Sequence, residues 1–304
     1  MKKIVKKSCT FLFVFAMLLS MFCVSFSAET YYYDKNFEFY KNDYSGLTIT
    51  DYLGTEENLQ IPSQLIDITV NVIAPSTFSD KTGLVNVSMP DTIQTIGAFA
   101  FSNCTNITDV KLSKNLSLCV LGAFQGCTSL ETVDMSMTKV TGLPNQMFYK
   151  CSSLKNVTLP ETCTSVGSYA FANCPKLESV YIPASVTEIS AKAFKNSSAV
   201  TIKDSYGSYA EEYAKANNIP FEGISAYDVG DVNMDGRIDI LDATLIQKYV
   251  VGIVELSAEQ KHLADYNNDG DITVIDATEI QKFIVHLNLS LIHISEPTRR
   301  RGIS

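Results

Sequence analysis

Residues 90–107 read PDTIQTIGAFAFSNCTNI, and versions of this stretch recur through the middle of the chain. The recurring phenylalanines are separated by 23, 23, 24, 23 and 23 residues: Phe78, Phe101, Phe124, Phe148, Phe171 and Phe194. A cysteine follows four of them at a constant offset of three: Cys104, Cys127, Cys151 and Cys174. A period of about 20–29 residues with apolar positions in register is typical of a solenoid, whose coils bury their apolar faces against one another.

Each repeat also carries a short Val-x-hydrophobic segment, which predicts one strand per coil. Two such segments are Val157-Thr-Leu-Pro160 and Val180-Tyr-Ile-Pro183, where proline closes the strand. The third coil departs from this pattern, with Asp134-Met-Ser-Met-Thr in place of a strand closed by proline. The sequence therefore predicts a β-rich solenoid of roughly six coils with short parallel strands.

The pattern Pro-x-x-Ile-x-x-Ile-Gly-x-x-Ala-Phe-x-x-Cys-x-x-Leu, clearest at residues 90–107, resembles the leucine-rich repeats of BspA-like bacterial surface antigens. The resemblance spans about residues 47–203, and residues 205–221 resemble the capping helix of that family. Tyrosine-rich residues 31–60, with a hairpin expected between Leu47–Thr50 and Leu59–Pro62, would close the other end. We expect this domain to cover residues 29–222.

Two twelve-residue segments, 34 residues apart, have the ligand order of calcium-binding loops. Residues 231–242 read DVNMDGRIDILD, and residues 265–276 read DYNNDGDITVID. Each has oxygen-bearing side chains at the ligand positions, a glycine at position 6 for the sharp turn and a backbone carbonyl at position 7. The expected ligands are Asp231, Asn233, Asp235, Arg237 (through its carbonyl), Asp239 and Asp242, then Asp265, Asn267, Asp269, Asp271 (through its carbonyl), Thr273 and Asp276.

Carboxylates crowded in this way repel one another. Two like charges about 4 Å apart cost roughly 4 kcal/mol at an effective dielectric constant near 20. We therefore predict two bound Ca²⁺ ions, one for each loop.

The segments after the two loops are also alike, DATLIQKYVV from Asp242 and DATEIQKFIV from Asp276. Apolar residues at helical spacing predict a helix after each loop, and Gly252 is placed to end the first. Between them, Ser257-Ala-Glu-Gln260 fits a capping box that begins a short helix.

With Asp at position 12 and no helix before the first loop, residues 228–287 resemble a type I dockerin, in a form similar to those of gut ruminococci. The resemblance implies three helices, two calcium ions and docking to a cohesin module on a scaffoldin or cell-surface protein. It also implies cohesin contacts at loop positions 10 and 11 and on the helices that follow: Ile240, Leu241, Gln247, Lys248, Val274, Ile275, Gln281 and Lys282.

Two alternatives stay open for these positions. Leu241 and Ile275 could equally belong to the core, and the Gln–Lys pairs could be solvated helix faces. The near-symmetry of the two copies suggests a module that docks in either orientation.

The two ends of the chain differ from the rest. Residues 1–28 fit a secretory signal, with four lysines, an apolar run over residues 11–24 and a small-residue exit at 25–28. A membrane anchor is the alternative, although the apolar run is short for a membrane span. Residues 289–304 resemble a translated sequencing adapter and are excluded from the fold prediction. We expect a linker at 223–227 and the dockerin at 228–288.

The formal net charge is −9. Residues 1–28 contribute four lysines, and residues 289–304 contribute a net charge of +2. The net charge of the region between them is therefore nearer −15. This balance argues against nucleic acid or an anionic membrane as a partner, and we expect no membrane insertion after cleavage of the signal.

Six cysteines lie after residue 28, which could indicate disulfides in an exported protein. Four of them share one position of the repeat, and this favours a buried row of small apolar thiols. Cys119 and Cys163 lie elsewhere in the coil, and their redox state stays open.

Residues 29–225 contain no histidine and no tryptophan. The lack of histidine removes Ser-His and Cys-His nucleophile pairs and histidine-liganded catalytic metals from this region. We therefore predict a secreted, non-catalytic protein whose dockerin joins a cellulosome-like polysaccharide-degrading complex and whose solenoid binds an unknown glycan or protein. Two alternatives remain: a truncated polysaccharide-degrading enzyme whose catalytic module is missing, and a cell-surface adhesin.

Overall fold

The computed structural model describes residues 4–5, 31–43 and 45–295, with side chains described from 31 to 43 and from 45 to 286. The chain divides into two compact units, one comprising residues 1–203 and 213–221, the other residues 204–212 and 222–304. The predicted signal segment falls almost entirely outside the described residues and stays a prediction. Among the described residues, no helix combines the length and apolar character needed to cross a membrane.

Short strands dominate the described chain up to Ile224, with a single helix, α1, at Tyr209–Ala216. The strands are β1 Ile4–Val5, β2 Tyr31–Tyr33, β3 Phe37–Lys41, β4 Leu47–Tyr52, β5 Asn58–Gln60, β6 Gln64–Leu65, β7 Ile68–Ile73, β8 Asn86–Ser88, β9 Thr95–Ile96, β10 Asp109–Lys111, β11 Leu118–Cys119, β12 Thr132–Asp134, β13 Asn156–Thr158, β14 Ser165–Val166, β15 Ser179–Tyr181, β16 Glu188–Ile189, β17 Thr201–Ser205 and β18 Phe221–Ile224.

Strands of successive coils pair in parallel, which confirms the predicted solenoid. Val87 of β8 lies opposite Val110 of β10, and Val157 of β13 lies opposite Val180 of β15. A second parallel row runs through β7, β9 and β11, and β14 pairs with β16 in the same way. The central valine of β8, β10, β12, β13 and β15 is buried, so these coils present the same apolar position to their neighbours.

The expected hairpin between Leu47–Thr50 and Leu59–Pro62 is wrong. Strand β4 pairs antiparallel with β3, whereas β5 pairs in parallel with β8. The reason is that Leu59 occupies the apolar position of the coil, opposite Val87, and is fully buried there. Residues 58–60 therefore begin the parallel row, and the antiparallel cap is formed by β2, β3 and β4.

The third coil forms its strand without a closing proline. β12 pairs with β13 in the regular register, and Met135 is buried directly after it. The Asp134 side chain accepts a 2.8 Å hydrogen bond from the Ser136 N–H and so turns the chain. Among the described strands, β10 and β12 nevertheless belong to separate sheets, so the row is interrupted beside this coil.

The six repeated phenylalanines form a continuous stack through the core. Successive ring centroids lie 4.8, 5.2, 6.1, 5.7 and 5.1 Å apart, with planes tilted by at most 19°. The longest step joins Phe124 to Phe148, where the coil has 24 residues in place of 23. The extra residue therefore loosens the stack without interrupting it.

The repeated cysteines form the predicted buried row. Each thiol donates to the carbonyl of the phenylalanine one coil earlier, for example from Cys104 to Phe78 at 3.0 Å and from Cys174 to Phe148 at 3.1 Å. All six cysteines that the structure describes are buried and free, including Cys119 and Cys163. In the last coil Ser197 occupies the same place, and its hydroxyl donates to the Phe171 carbonyl at 2.7 Å.

The second unit contains three further helices, α2 Ile240–Val250, α3 Ala258–Ala264 and α4 Val274–Ser295. The predicted capping box of α3 is present, since Ser257 and Gln260 exchange hydrogen bonds of 3.1 Å. Gly252, at a φ of +74°, ends α2 as predicted. α4 continues through residues 289–295, whose adapter origin stays a prediction.

The core of this unit lies between α2, α3 and α4. It contains small and branched apolar side chains that are all buried: Val232, Ala243, Ile246, Leu256, Ala264, Ala277 and Ile280. Alanines at Ala243 and Ala277 recur at the same place after each loop and let the helices approach closely.

Candidate functional site

The first residue of each predicted calcium loop closes the turn in the same way. The Asp231 carboxylate accepts hydrogen bonds from the N–H groups of Asp235 at 3.1 Å and Gly236 at 2.8 Å. The Asp265 carboxylate accepts from Asp269 at 3.0 Å and from Gly270 at 2.9 Å. Two segments 34 residues apart thus fold into the same loop.

The last residue of each loop is fully buried. Asp242 accepts from the N–H groups of Asn233 at 2.9 Å and Asp239 at 2.8 Å, so it ties the two ends of its loop together. Asp276 does the same in the second loop, at 3.3 Å from the Asn267 N–H and 2.9 Å from the Thr273 N–H. Burial raises the pKa of the Asp242 carboxyl, with smaller contributions from the charges of Asp231 and Asp239.

The glycine at position 6 is required by the backbone and not by packing. Gly236 and Gly270 have φ values of +86° and +91°, which other residues adopt only with strain. A Cβ at either position would meet no atom within 4 Å. The turn therefore selects glycine through its conformation alone.

The donor set of both loops fits calcium. It consists only of oxygen atoms, which hard cations such as Ca²⁺ prefer over nitrogen and sulfur. Among the described residues, however, no group of three His, Cys, Asp or Glu side chains is arranged so as to hold a metal ion. The predicted ligand set also relies on amide and backbone oxygens, such as those of Asn233 and Arg237.

The loops have a second role that the sequence analysis missed, since each supplies the N-terminal cap of the helix that follows it. Asp239 is the N-cap of α2, where its carboxylate accepts from the Leu241 N–H at 2.7 Å and Asp242 completes a capping box. In the second copy Thr273 accepts from the Ile275 N–H at 3.1 Å. The spacing Asp-x-x-Asp and Thr-x-x-Asp carries this signal, because a polar cap followed by an acid three residues later marks a helix start.

The aliphatic residues at loop positions 10 and 11 lie on the surface. Ile240 and Leu241 are 54% and 57% exposed, and Val274 and Ile275 are 55% and 54% exposed. The alternative that Leu241 and Ile275 belong to the core is therefore wrong. These large aliphatic side chains are more than half exposed at the same place after each of the two loops.

The polar members of the predicted docking set are also accessible. Gln247, Lys248 and Lys282 are exposed and Gln281 is half-buried, while Lys282 also forms an exposed ion pair of 2.7 Å with Glu279. Gln281 and Lys282 line a shallow groove of about 250 Å³ on α4 together with Val285, which the sequence analysis did not single out. Val285 is 56% exposed, and the helical step of three from Lys282 could have identified it.

Comparison with known families agrees with this geometry. Residues 71–201 match the family model of the BspA type leucine-rich repeat region in six copies, and residues 229–285 match that of the dockerin type I domain. The chain carries a BspA-type repeat region and a type I dockerin domain. Type I dockerins bind calcium and pair with cohesin modules, and neither kind of domain is catalytic.

Solved structures of bacterial leucine-rich repeat proteins are similar to part of this chain. A leucine-rich repeat protein from T. pallidum is 27% identical, with a TM-score of 0.54 over 63% of this chain and 98% of that one. A leucine-rich cell surface protein from Faecalibacterium prausnitzii is 31% identical, with a TM-score of 0.45 over 57% of this chain and 54% of that protein. No curated protein matches the chain significantly.

Proposed function

We propose that this chain is a secreted, non-catalytic adaptor, with a signal peptide at residues 1–28. Its dockerin, residues 228–288, would dock to a cohesin on a scaffoldin or cell-surface protein of a cellulosome-like polysaccharide-degrading complex. The solenoid, residues 29–222, would bind a glycan or protein, and residues 223–227 would link the two. The pairing of two domain types that bind and do not catalyse supports this proposal.

The observation that carries the docking proposal is the duplicated aliphatic pair. Ile240 and Leu241 begin α2, and Val274 and Ile275 begin α4, with nearly equal exposure in the two copies. Each pair is followed about two turns later by the same adjacent Gln and Lys. A cohesin that recognises one copy would meet the same side chains on the other copy, so either copy could occupy the same binding site.

Two Ca²⁺ ions would hold these pairs in position. The ligands proposed for the first ion are Asp231, Asn233, Asp235, Arg237 (carbonyl), Asp239 and Asp242, and for the second Asp265, Asn267, Asp269, Asp271 (carbonyl), Thr273 and Asp276. When bound, the ions supply positive charge that offsets the repulsion among the carboxylates of each loop. In each loop the aspartate at position 12 accepts a hydrogen bond from the backbone N–H at position 9. This bond ties the loop to the start of the helix that bears the docking residues.

The test uses the full chain immobilised in calcium and incubated with culture supernatant from a cohesin-producing gut ruminococcus. Bound proteins are identified by mass spectrometry, and the affinity of the captured cohesin is then measured for three variants: I240S/L241S, V274S/I275S and their combination. The matched control is V251S/I253S, which removes two aliphatic residues of the same unit that are 67% and 70% exposed.

We expect cohesin-containing proteins only in the calcium sample. If both copies dock, each paired variant weakens binding by only about twofold, because one of two equivalent modes remains. The affinity of the combined variant for cohesin should fall at least about 100-fold, as expected when central apolar residues are removed from an interface. Loss of binding in one paired variant and none in the other refutes docking in two orientations. Full binding by the combined variant refutes the site.

A further inference from the structure

A groove of about 320 Å³ crosses three successive coils of the solenoid. We call it the Tyr–Lys groove, and its lining is Gln146, Tyr149, Tyr169, Asn173, Lys195 and Asn196. Each lining residue lies within two positions of a stacked phenylalanine of its own coil. The rigid phenylalanine stack therefore holds these side chains in rows one coil apart.

Lysine ammonium groups lie beside the two tyrosine rings of this groove. The rings of Tyr149 and Tyr169 meet edge to face with centroids 6.3 Å apart. The Lys150 Nζ lies 5.2 Å from the Tyr149 ring, and the Lys192 Nζ lies 5.7 Å from the Tyr169 ring. Both rings are half-buried, so part of each ring remains open to a ligand.

The positive charge in this region is not neutralised by the protein. Lys150, Lys192 and Lys195 are exposed, and none forms an ion pair within the described part of the chain. Elsewhere on the solenoid Lys155 is paired with Glu131 at 2.8 Å, and no acidic side chain lines the groove. Three uncompensated lysines on one face of a chain with a net charge of −9 form a local site for a negatively charged group.

The fold does not require a lysine at position 150. The position of Lys150 has a positive φ in six coils, where it is occupied by Asp80, Asn103, Gly126, Lys150, Asn173 and Asn196. Gly, Asn and Asp tolerate this conformation, whereas lysine at a φ of +62° costs about 1 kcal/mol. The coil sets this conformation, and a lysine there is an exception that the fold does not call for.

The groove also offers free hydrogen-bonding groups. The Asn196 side-chain amide donates to the Asn173 side-chain oxygen at 2.9 Å. That bond leaves the remaining amide groups of both residues, and the side chain of Gln146, to face a ligand. Ring faces, amides and ammonium groups together match a sugar with an apolar face, hydroxyl groups and a carboxylate.

We propose that the Tyr–Lys groove binds an acidic oligosaccharide, one whose sugars carry carboxylate groups. This inference rests on the proposed binding role of the solenoid and names its ligand class. The Tyr149 and Tyr169 rings pack against the sugar faces, and the amides of Gln146, Asn173 and Asn196 bond its hydroxyls. Lys150, Lys192 and Lys195 bind the carboxylates. Duplex nucleic acid, with about one charge per 1.7 Å, is disfavoured by the acidity of the rest of the chain.

Titration calorimetry on the full chain, at constant calcium concentration, tests this assignment. The acidic probes are an oligogalacturonate and a glucuronic-acid-substituted xylo-oligosaccharide, and the neutral probe is the unsubstituted xylo-oligosaccharide of the same length. Poly-L-glutamate is the fourth probe and tests whether any carboxylate polymer binds. The variants are K150Q/K192Q/K195Q, Y169A and Y169F, and the charge-matched control is K111Q/K114Q/K139Q, which removes three exposed lysines outside the groove.

We expect at least one acidic probe to bind the wild type at least about tenfold more tightly than the neutral probe. This binding should weaken as ionic strength rises. The affinity of K150Q/K192Q/K195Q for the acidic probe should fall about tenfold or more, and that of the lysine control should be unchanged. Y169A should weaken binding and Y169F should preserve it. Equal binding of acidic and neutral sugars, unchanged binding by K150Q/K192Q/K195Q, or no binding of either acidic probe overturns the proposal.

Two further outcomes separate this proposal from others. Poly-L-glutamate binding as tightly as the sugars overturns the oligosaccharide assignment and favours an acidic protein ligand. K150Q/K192Q/K195Q should keep calcium-dependent cohesin docking, so loss of sugar binding alone leaves the docking proposal intact. Conversely, failure of cohesin docking in a chain that still binds the sugar counts only against the docking role.

Discussion

The carboxylate of Asp242 accepts a 2.8 Å hydrogen bond from the backbone N–H of Asp239. One contact therefore closes the first proposed calcium loop and begins helix α2, because Asp239 is the N-cap of that helix. The aliphatic pair proposed to dock lies directly between these two residues. Loop closure, helix start and the proposed docking surface form one structural unit, and they should respond together to a substitution.

Replacing Asp242 with asparagine should reduce calcium uptake from two ions to one. The variant loses a charged, proposed ligand at a fully buried position, and we expect at least about tenfold weaker calcium binding at the first loop. Calorimetric titration of the full chain with Ca²⁺ measures this. Glu255→Gln is the control, since it removes the same charge from an exposed residue between the loops. Two undiminished binding events in the Asp242 variant would refute the assignment.

Removing calcium should unfold the helices of the second unit and leave the solenoid intact. The three helices share a core of only a few small apolar residues, so metal binding and folding are expected to be coupled. Far-ultraviolet circular dichroism, recorded before and after addition of a chelator, should show a loss of helical signal with the strand signal retained. An unchanged spectrum would show that the loops hold their shape without the ion.

Gly236→Ala should weaken calcium binding by about tenfold. Alanine meets no atom there but must adopt a φ of +86°, which costs about 1–2 kcal/mol for a residue with a Cβ. Gly83→Ala is the matched control, because its Cβ also meets no atom within 4 Å and its φ lies outside the left-handed region. Equal calcium affinity in wild type and Gly236→Ala would show that the turn tolerates a side chain.

The cysteine row should make the solenoid less stable in alkali. Burial raises the pKa of Cys104 and Cys174 to about 12, whereas an unfolded cysteine titrates near 8.5. Between these values the unfolded chain loses thiol protons that the folded chain keeps, so the free energy of unfolding falls as pH rises, by about 1.4 kcal/mol per thiol and pH unit. Urea midpoints at pH 7.5 and pH 10 measure this fall in the free energy of unfolding. The fall should be smaller in C104A/C174A. A fall of equal size in that variant would mean that other groups cause it.

Phe101→Leu should destabilise the solenoid more than Phe148→Leu. Both rings are fully buried, but Phe101 has neighbours at 4.8 and 5.2 Å, whereas Phe148 has neighbours at 6.1 and 5.7 Å. Since ring stacking is worth about 0.5–1.5 kcal/mol beyond burial, we expect a difference of about 0.5 kcal/mol. Urea unfolding of both variants gives the comparison. Equal midpoints would show that the 24-residue coil packs as tightly as the others.

Much of the architecture could be predicted because it repeats. The nearly constant spacing of the phenylalanines from Phe78 to Phe194 indicates one coil per repeat. The two loop sequences carry their oxygen-bearing residues in the same order. Local signals also sufficed for the capping box at Ser257 and the helix end at Gly252, since both depend on residues within a turn of each other. These features are governed by spacing along the chain.

The pairing of Leu59 could not be predicted in the same way. Its flanking sequence suits a hairpin as well as a coil, and the choice depends on its position opposite Val87, 28 residues later. Leu241 and Ile275 present the same difficulty, because an aliphatic residue at a helix start can face either the core or solvent. Only the packing of α2 against α4 turns both of them outward.

The amino-acid sequence alone determined the coil period, the buried phenylalanine and cysteine rows and the order of oxygen atoms in the two loops, because each depends on regular spacing along the chain. The tertiary structure alone decided which aliphatic residues stay exposed and which tyrosines and lysines meet across coils. The physical reason is that side chains about 20 residues apart become neighbours only after the coils have stacked, and the stacking itself is driven by the buried rows.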